Sequence, residues 1–167
     1  FMGAWGSGLY QDDVACEVRD YYIDCLRDED GSAEDKTINY FQDELNYDDD
    51  CAVVWFALAD TQWKYGRLSE TVKSKALEYI DNGINLQLWT EADEKLYSKR
   101  ENVLADLKNK LLSPMPPKKK LRKPHVFTCT WNIGDVFAYQ LKSDTAREKG
   151  VFGKWFVMQK VNQADNL

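Results

Sequence analysis

Histidine is almost absent: the 167-residue chain has one, His125. Its four cysteines, Cys16, Cys25, Cys51 and Cys129, form no C-x-x-C pair, so the ligand spacing of a zinc site is missing. There is no P-loop, G-x-S-x-G or H-E-x-x-H, and no cysteine has a local partner that would lower its pKa. Nothing therefore points to catalysis, a metal or a cofactor, and an enzyme of unrecognised class is the second alternative only. No apolar run approaches the roughly 18 residues of a membrane helix, and the amino terminus lacks the basic-then-apolar profile of a signal peptide. The expectation is a cytoplasmic protein without membrane contact. All four prolines lie between residues 114 and 124, which leaves the rest of the chain open to helix.

What is present is enough for a core: 44% of residues are apolar and 13% aromatic. The most apolar stretch is CAVVWFALADTQWKYG, residues 51–66. Val53, Val54, Trp55, Phe56, Ala57 and Leu58 leave no polar face, the mark of a helix buried on several sides, with Trp55 and Leu58 almost wholly inside. Asp48, Asp49 and Asp50 are expected to precede and cap it, and Gly66 to stop it. Leu68, Val72, Ala76, Tyr79 and Ile80 then follow at helical spacing, so the two helices should form a hairpin. Trp55, Leu58, Ala59, Trp63, Gly66 and Ala76 resemble one tetratricopeptide unit; without a second copy, the resemblance implies a helical hairpin and not a solenoid.

Phe1 reads as a remnant before a natural start at Met2. In the opening, Gly3, Gly6 and Gly8 frame Trp5, which is expected to dock the segment into the helical domain, with one of the glycines in a backbone conformation closed to other residues. The match of residues 2–7 to a myristoylation pattern is short, and Trp5 suits it poorly. Asp12 or Asp13 caps a helix marked by Val14, Val18, Tyr21, Tyr22, Cys25 and Leu26. The acidic turn at Asp28, Glu29, Asp30 and Gly31 fails as a calcium loop because Leu26 stands where a ligand is needed. Ser32 with Asp35 reads as a capping box for one helix carrying Ile38, Phe41 and Leu45. Thr90 with Asp93 caps a last helix with a stripe of Leu96, Val103, Leu104, Leu107 and Leu111. Its opposite face, Lys95, Lys99, Arg100, Glu101 and Lys108, is expected to be solvated.

Residues 2–112 thus read as an acidic helical bundle of five or six helices. Residues 113–124, SPMPPKKKLRKP, form a semi-rigid basic linker that pairs with the acidic domain, a reading preferred to a nuclear-localisation run. From residue 125 the period changes to two. Val126, Thr128 and Thr130 alternate against Phe127, Cys129 and Trp131, and two further strands follow around Tyr139 and Val157. The fold class is mainly α, followed by a small and incomplete antiparallel β module whose open edge offers a route to oligomers.

Two resemblances accompany this reading. Met2, Gly3, Trp5, Gly6, Gly8, Asp12 and Asp13 resemble the amino-terminal signature of an uncharacterised bacterial domain-of-unknown-function family, which implies no activity. Residues 131–161 resemble the opening of SH3-like barrels in an immunity-protein family of bacterial toxin systems. Residues 1–112 hold 24 acidic against 12 basic side chains, whereas the remainder holds 4 against 10. An acidic body argues against nucleic acid and for a basic protein partner. The expectation is a non-catalytic protein-interaction module, immunity-protein-like in its narrower form, with a housekeeping helical protein as the first alternative. Trp5, Asp12, Asp13, Asp60 and Trp63 are the candidate interaction or anchor residues.

Overall fold

The computed structural model describes residues 4–28, 32–87, 89–90, 94–122 and 129–162. Several expectations fall outside them: Met2, Gly3, the acidic turn from Glu29 to Gly31, the Asp93 cap, His125, and the start of the first expected strand at Val126, Phe127 and Thr128. The chain divides into two compact units, residues 1–123 and 124–167. It is mainly helical, with a small two-stranded antiparallel sheet in the second unit.

The first unit contains α1 (Asp13–Arg27), α2 (Ala33–Tyr40), α3 (Gln42–Leu45), α4 (Asp48–Lys64), α5 (Glu70–Asp81), α6 (Ile84–Gln87) and α7 (Glu94–Leu112). Helix α4 is its centre, touching α1, α3, α5, α6 and α7. Every residue from Cys51 to Gln62 is buried except Trp55, which is half-buried against the expectation of full burial. The reason is that the surrounding helices leave one side of α4 partly open at that turn, while Val54, Phe56 and Leu58 point into the core. The apolar run continues into three buried polar residues, each with partners. The Thr61 hydroxyl donates to the Ala57 carbonyl at 2.7 Å, Gln62 bonds Glu34 and the Ser69 N–H, and Asp60 holds an ion-pair cluster.

Tyr47, not an aspartate, is the N-cap of α4, and Asp48 to Asp50 fall inside its first turn. Negative charge there still meets the positive end of the helix dipole. The stop is as expected: Gly66 has φ +68°, its N–H bonds the Trp63 carbonyl, and the Arg67 N–H bonds the Gln62 carbonyl at 2.8 Å. That paired arrangement ends a helix with its last carbonyls satisfied.

Asp12 caps α1, its carboxylate accepting from the Ala15 N–H at 3.1 Å. Ser32 occupies the N-cap of α2 without a side-chain cap bond, so the capping box does not form. The single helix expected through Phe41 is two, because Phe41 leaves helical geometry (ψ 27°) and buries its ring edge-on to Tyr21 of α1. Thr90 spends its hydroxyl on the Gln87 carbonyl.

In the second unit β1 (Val136–Gln140) pairs with β2 (Trp155–Gln159), with Tyr139 opposite Phe156. Between them lies a short helix, α8 (Asp144–Glu148), capped by Ser143, which the sequence reading missed. Of the first of the three expected strands, Cys129 to Trp131 are described and belong to no strand; Trp131 instead packs on Phe137 in a tilted pair with ring centroids 3.9 Å apart.

Candidate functional site

The outer face of α1 carries Asp13, Glu17, Asp20, Asp24 and Asp28, all exposed. Their spacing of three and four places them in one row along the helix. Asp20 pairs with Arg19 and Asp24 with Arg27, which leaves the row net acidic. Tyr21 borders the row and stacks on Tyr40 of α2, centroids 4.1 Å apart, while Phe41 meets both rings edge-on. Tyr40 is 63% exposed. An aromatic pair with one open ring face beside a line of carboxylates matches the chemistry of arginine and lysine side chains, through ion pairs and cation–π contact.

The five sequence-derived candidates do not form one surface. Asp13 is exposed at the start of the row, whereas Asp12 is committed to its cap. Asp60 is buried: it accepts from the Tyr10 hydroxyl at 2.6 Å and pairs with Lys64 at 2.6 Å and Lys110 at 2.7 Å. Burial alone would raise its pKa, but hydrogen bonds from Lys110, Lys64 and Tyr10 outweigh it and hold the carboxyl below its ordinary value. The same cluster, by burial first and the neighbouring carboxylate second, pushes the Tyr10 phenol up. Asp60 therefore joins the amino-terminal segment to α4 and α7. Trp63 is half-buried under the Lys110 ammonium, and its indole N–H has no partner among the described residues.

Trp5 overturns its expectation, being 60% exposed. The glycine-rich opening is held through its backbone instead. The Trp5 N–H bonds the Gln11 carbonyl at 2.9 Å, the Gly8 N–H bonds the Gln11 side chain, and Arg100 donates to the Ser7 and Gly8 carbonyls at 3.4 Å each. Gly6 and Gly8 keep ordinary φ values; what Gly6 supplies is room, since a Cβ there would stand 2.4 Å from the Gln11 amide oxygen. Arg100, assigned by sequence to the solvated face, is 2% exposed and donates to Asn85 Oδ1 at 2.7 Å, with the Trp89 ring 5.8 Å away. Burial lowers its pKa to about 10, with Asp12 partly opposing. Its place one turn before Leu104 on the stripe was the available signal.

The proline-lysine segment is no free spacer. The Lys119 N–H bonds the Tyr65 carbonyl, Arg67 donates to the Lys119 carbonyl at 2.9 Å, and the backbone of Pro116 and Pro117 lies against Gly66 so closely that a Cβ would stand 2.4 Å from the Pro116 carbonyl oxygen. This strap walls an open groove of about 710 Å³ whose lining includes Tyr22, Cys25, Glu34, Arg67, Lys118 and Lys120.

Among the described residues there is no cluster of metal-ligating side chains, and no helix is long and apolar enough to cross a membrane. Comparison of the chain with family models, with curated proteins and with solved structures yields no match.

Proposed function

We propose that the protein is a non-catalytic protein-interaction module whose helical unit receives a basic segment of a partner along α1. The observation that carries this is the exposed Tyr40 ring stacked on Tyr21 beside the row Asp13, Glu17, Asp20, Asp24 and Asp28. The carboxylates supply long-range attraction and orientation, and the ring pair supplies a desolvated contact once a guanidinium lies across it. A solvated helix face would need the acids but gains nothing from an exposed, stacked tyrosine. The immunity-like form of this reading, in which the basic partner is a toxin, rests on the same charge and on the resemblance of residues 131–161.

The test is titration of the full chain with a synthetic arginine-rich peptide, followed calorimetrically at several salt concentrations. Binding should weaken as salt rises, fall about tenfold in Tyr40→Ala, and fall further in Glu17→Gln with Asp20→Asn and Asp24→Asn. Affinity unchanged by these substitutions, or no binding at low salt, would overturn the proposal.

A further inference from the structure

The groove beside the strap holds one feature that helix packing does not explain. Tyr22 is 2% exposed, lines the groove, and its hydroxyl makes no hydrogen bond among the described residues. Arg67 and Glu34, which line the same groove, are the phenol's charged neighbours. Burial pushes its pKa up to about 12, with Arg67 partly opposing, so it stands as a neutral donor at ordinary pH. Unlike the Trp63 indole nitrogen, the hydroxyl oxygen is not sealed from solvent, so it is open to a partner in the groove.

The rest of the lining says what that is. The strap runs extended across the mouth of the groove, so its side chains alternate: Lys119 turns to the Tyr65 ring at 5.7 Å, while Lys118 and Lys120 line the groove. Neither of these two lysines has a carboxylate partner among the described residues. Arg67 uses Nη1 on the Tyr65 and Lys119 carbonyls, which fixes the guanidinium while its other nitrogens make no bond among the described residues. Among the described residues three cations of the lining stand against one carboxylate, Glu34, which already accepts from Gln62 at 2.9 Å. Cys25, Leu26, Leu68 and Leu121 supply apolar wall. A volume of about 710 Å³ is that of a small-molecule site.

We propose that this groove binds a small amphipathic anion. Its head group is held by Arg67, Lys118 and Lys120 and accepts a hydrogen bond from the Tyr22 hydroxyl, and its apolar body lies along Leu26, Leu68 and Leu121. Carboxylates and phosphate monoesters share this chemistry, and the experiment separates them.

The full chain is titrated by calorimetry with octanoate, octyl phosphate, octylammonium and octanol. At least one anion should bind with one-to-one stoichiometry, and the tighter of the two names the head group; octylammonium and octanol should bind at least tenfold more weakly. Tyr22→Phe, which removes only the hydroxyl, should weaken the anion at least about tenfold, the loss of one hydrogen bond to a charged acceptor. Lys118→Gln with Lys120→Gln, both exposed in the free protein, should do likewise and flatten the salt dependence. Equal affinity for the alcohol or the ammonium, indifference to both variants, or no binding of either anion would overturn the proposal.

Discussion

The two units of this chain treat their apolar side chains in opposite ways. In the first, Val54, Phe56, Leu58 and Leu104 are sealed inside. In the second, Trp155, Phe156, Val157 and Met158 are all exposed in consecutive positions of β2. Alternate strand residues point to opposite faces, so four exposed neighbours mean that both faces of the ribbon are open. A helix wrapped by others can bury every side of itself, whereas no further strand pairs with these two among the described residues. Similar apolar content therefore gives a core in one unit and bare surface in the other.

The sharpest way to break that contrast is to remove apolar volume from each unit. Leu58→Ala should destabilise the full chain by about 3–5 kcal/mol in urea unfolding followed by circular dichroism, because the cavity cannot collapse around α4. Val157→Ala, at a 60% exposed position, should change stability by less than about 0.5 kcal/mol in the same measurement. Comparable losses at both positions would mean that the hairpin has a core after all.

Next in size is the buried charge of the helical unit. Asp60→Ala should cost about 2–3 kcal/mol, less than a fully buried pair loses, because Lys64 and Lys110 stay partly exposed and regain water. The pH dependence follows from the lowered carboxyl pKa: the stabilisation is complete above the unfolded value of about 4 and is lost as pH falls through the folded one. Melting temperature should thus drop on acidification below about pH 4, and less steeply in Asp60→Ala. An acid profile unchanged by the substitution would assign the loss to other carboxylates.

A more local effect concerns the strap. Gly66→Ala combines a left-handed φ of +68° with the close approach of the Pro116 carbonyl, and should destabilise by about 1–3 kcal/mol while lifting residues 115–119 from the turn. Trypsin should then cleave at Lys118 to Lys120 several-fold faster than in the parent. Unchanged cleavage would show that the strap is held without that contact.

Much of this architecture was legible in local pattern. Helix periodicity marked α1, α5 and α7, an unbroken apolar run marked α4 and Gly66 its stop, and apolar runs beyond turn residues marked β1 and β2, because these signals depend on residues within a few positions of one another; the period-two alternation marked residues 126–131, whose described part is no strand. The candidate sites were less so. Asp60 read as a candidate interaction or anchor residue and Arg100 as a solvated charge, yet each is buried because its partners lie far along the chain: Tyr10 and Lys110 for one, Asn85 and the Ser7 and Gly8 carbonyls for the other. Trp5 read as an anchor because of its glycines, but the backbone does the anchoring and the indole stays outside.

The sequence by itself determined the helical character of the first unit, the charge difference between residues 1–112 and 113–167 and the end of the last long helix before the prolines, since each is a property of composition or of short-range spacing. Only the tertiary structure decided which carboxylates are buried, that the lysine segment straps the α4–α5 turn, and that Tyr22 faces a cationic groove. Those outcomes depend on which distant segments meet, and pairing across tens of residues leaves no periodic trace in the order of the amino acids.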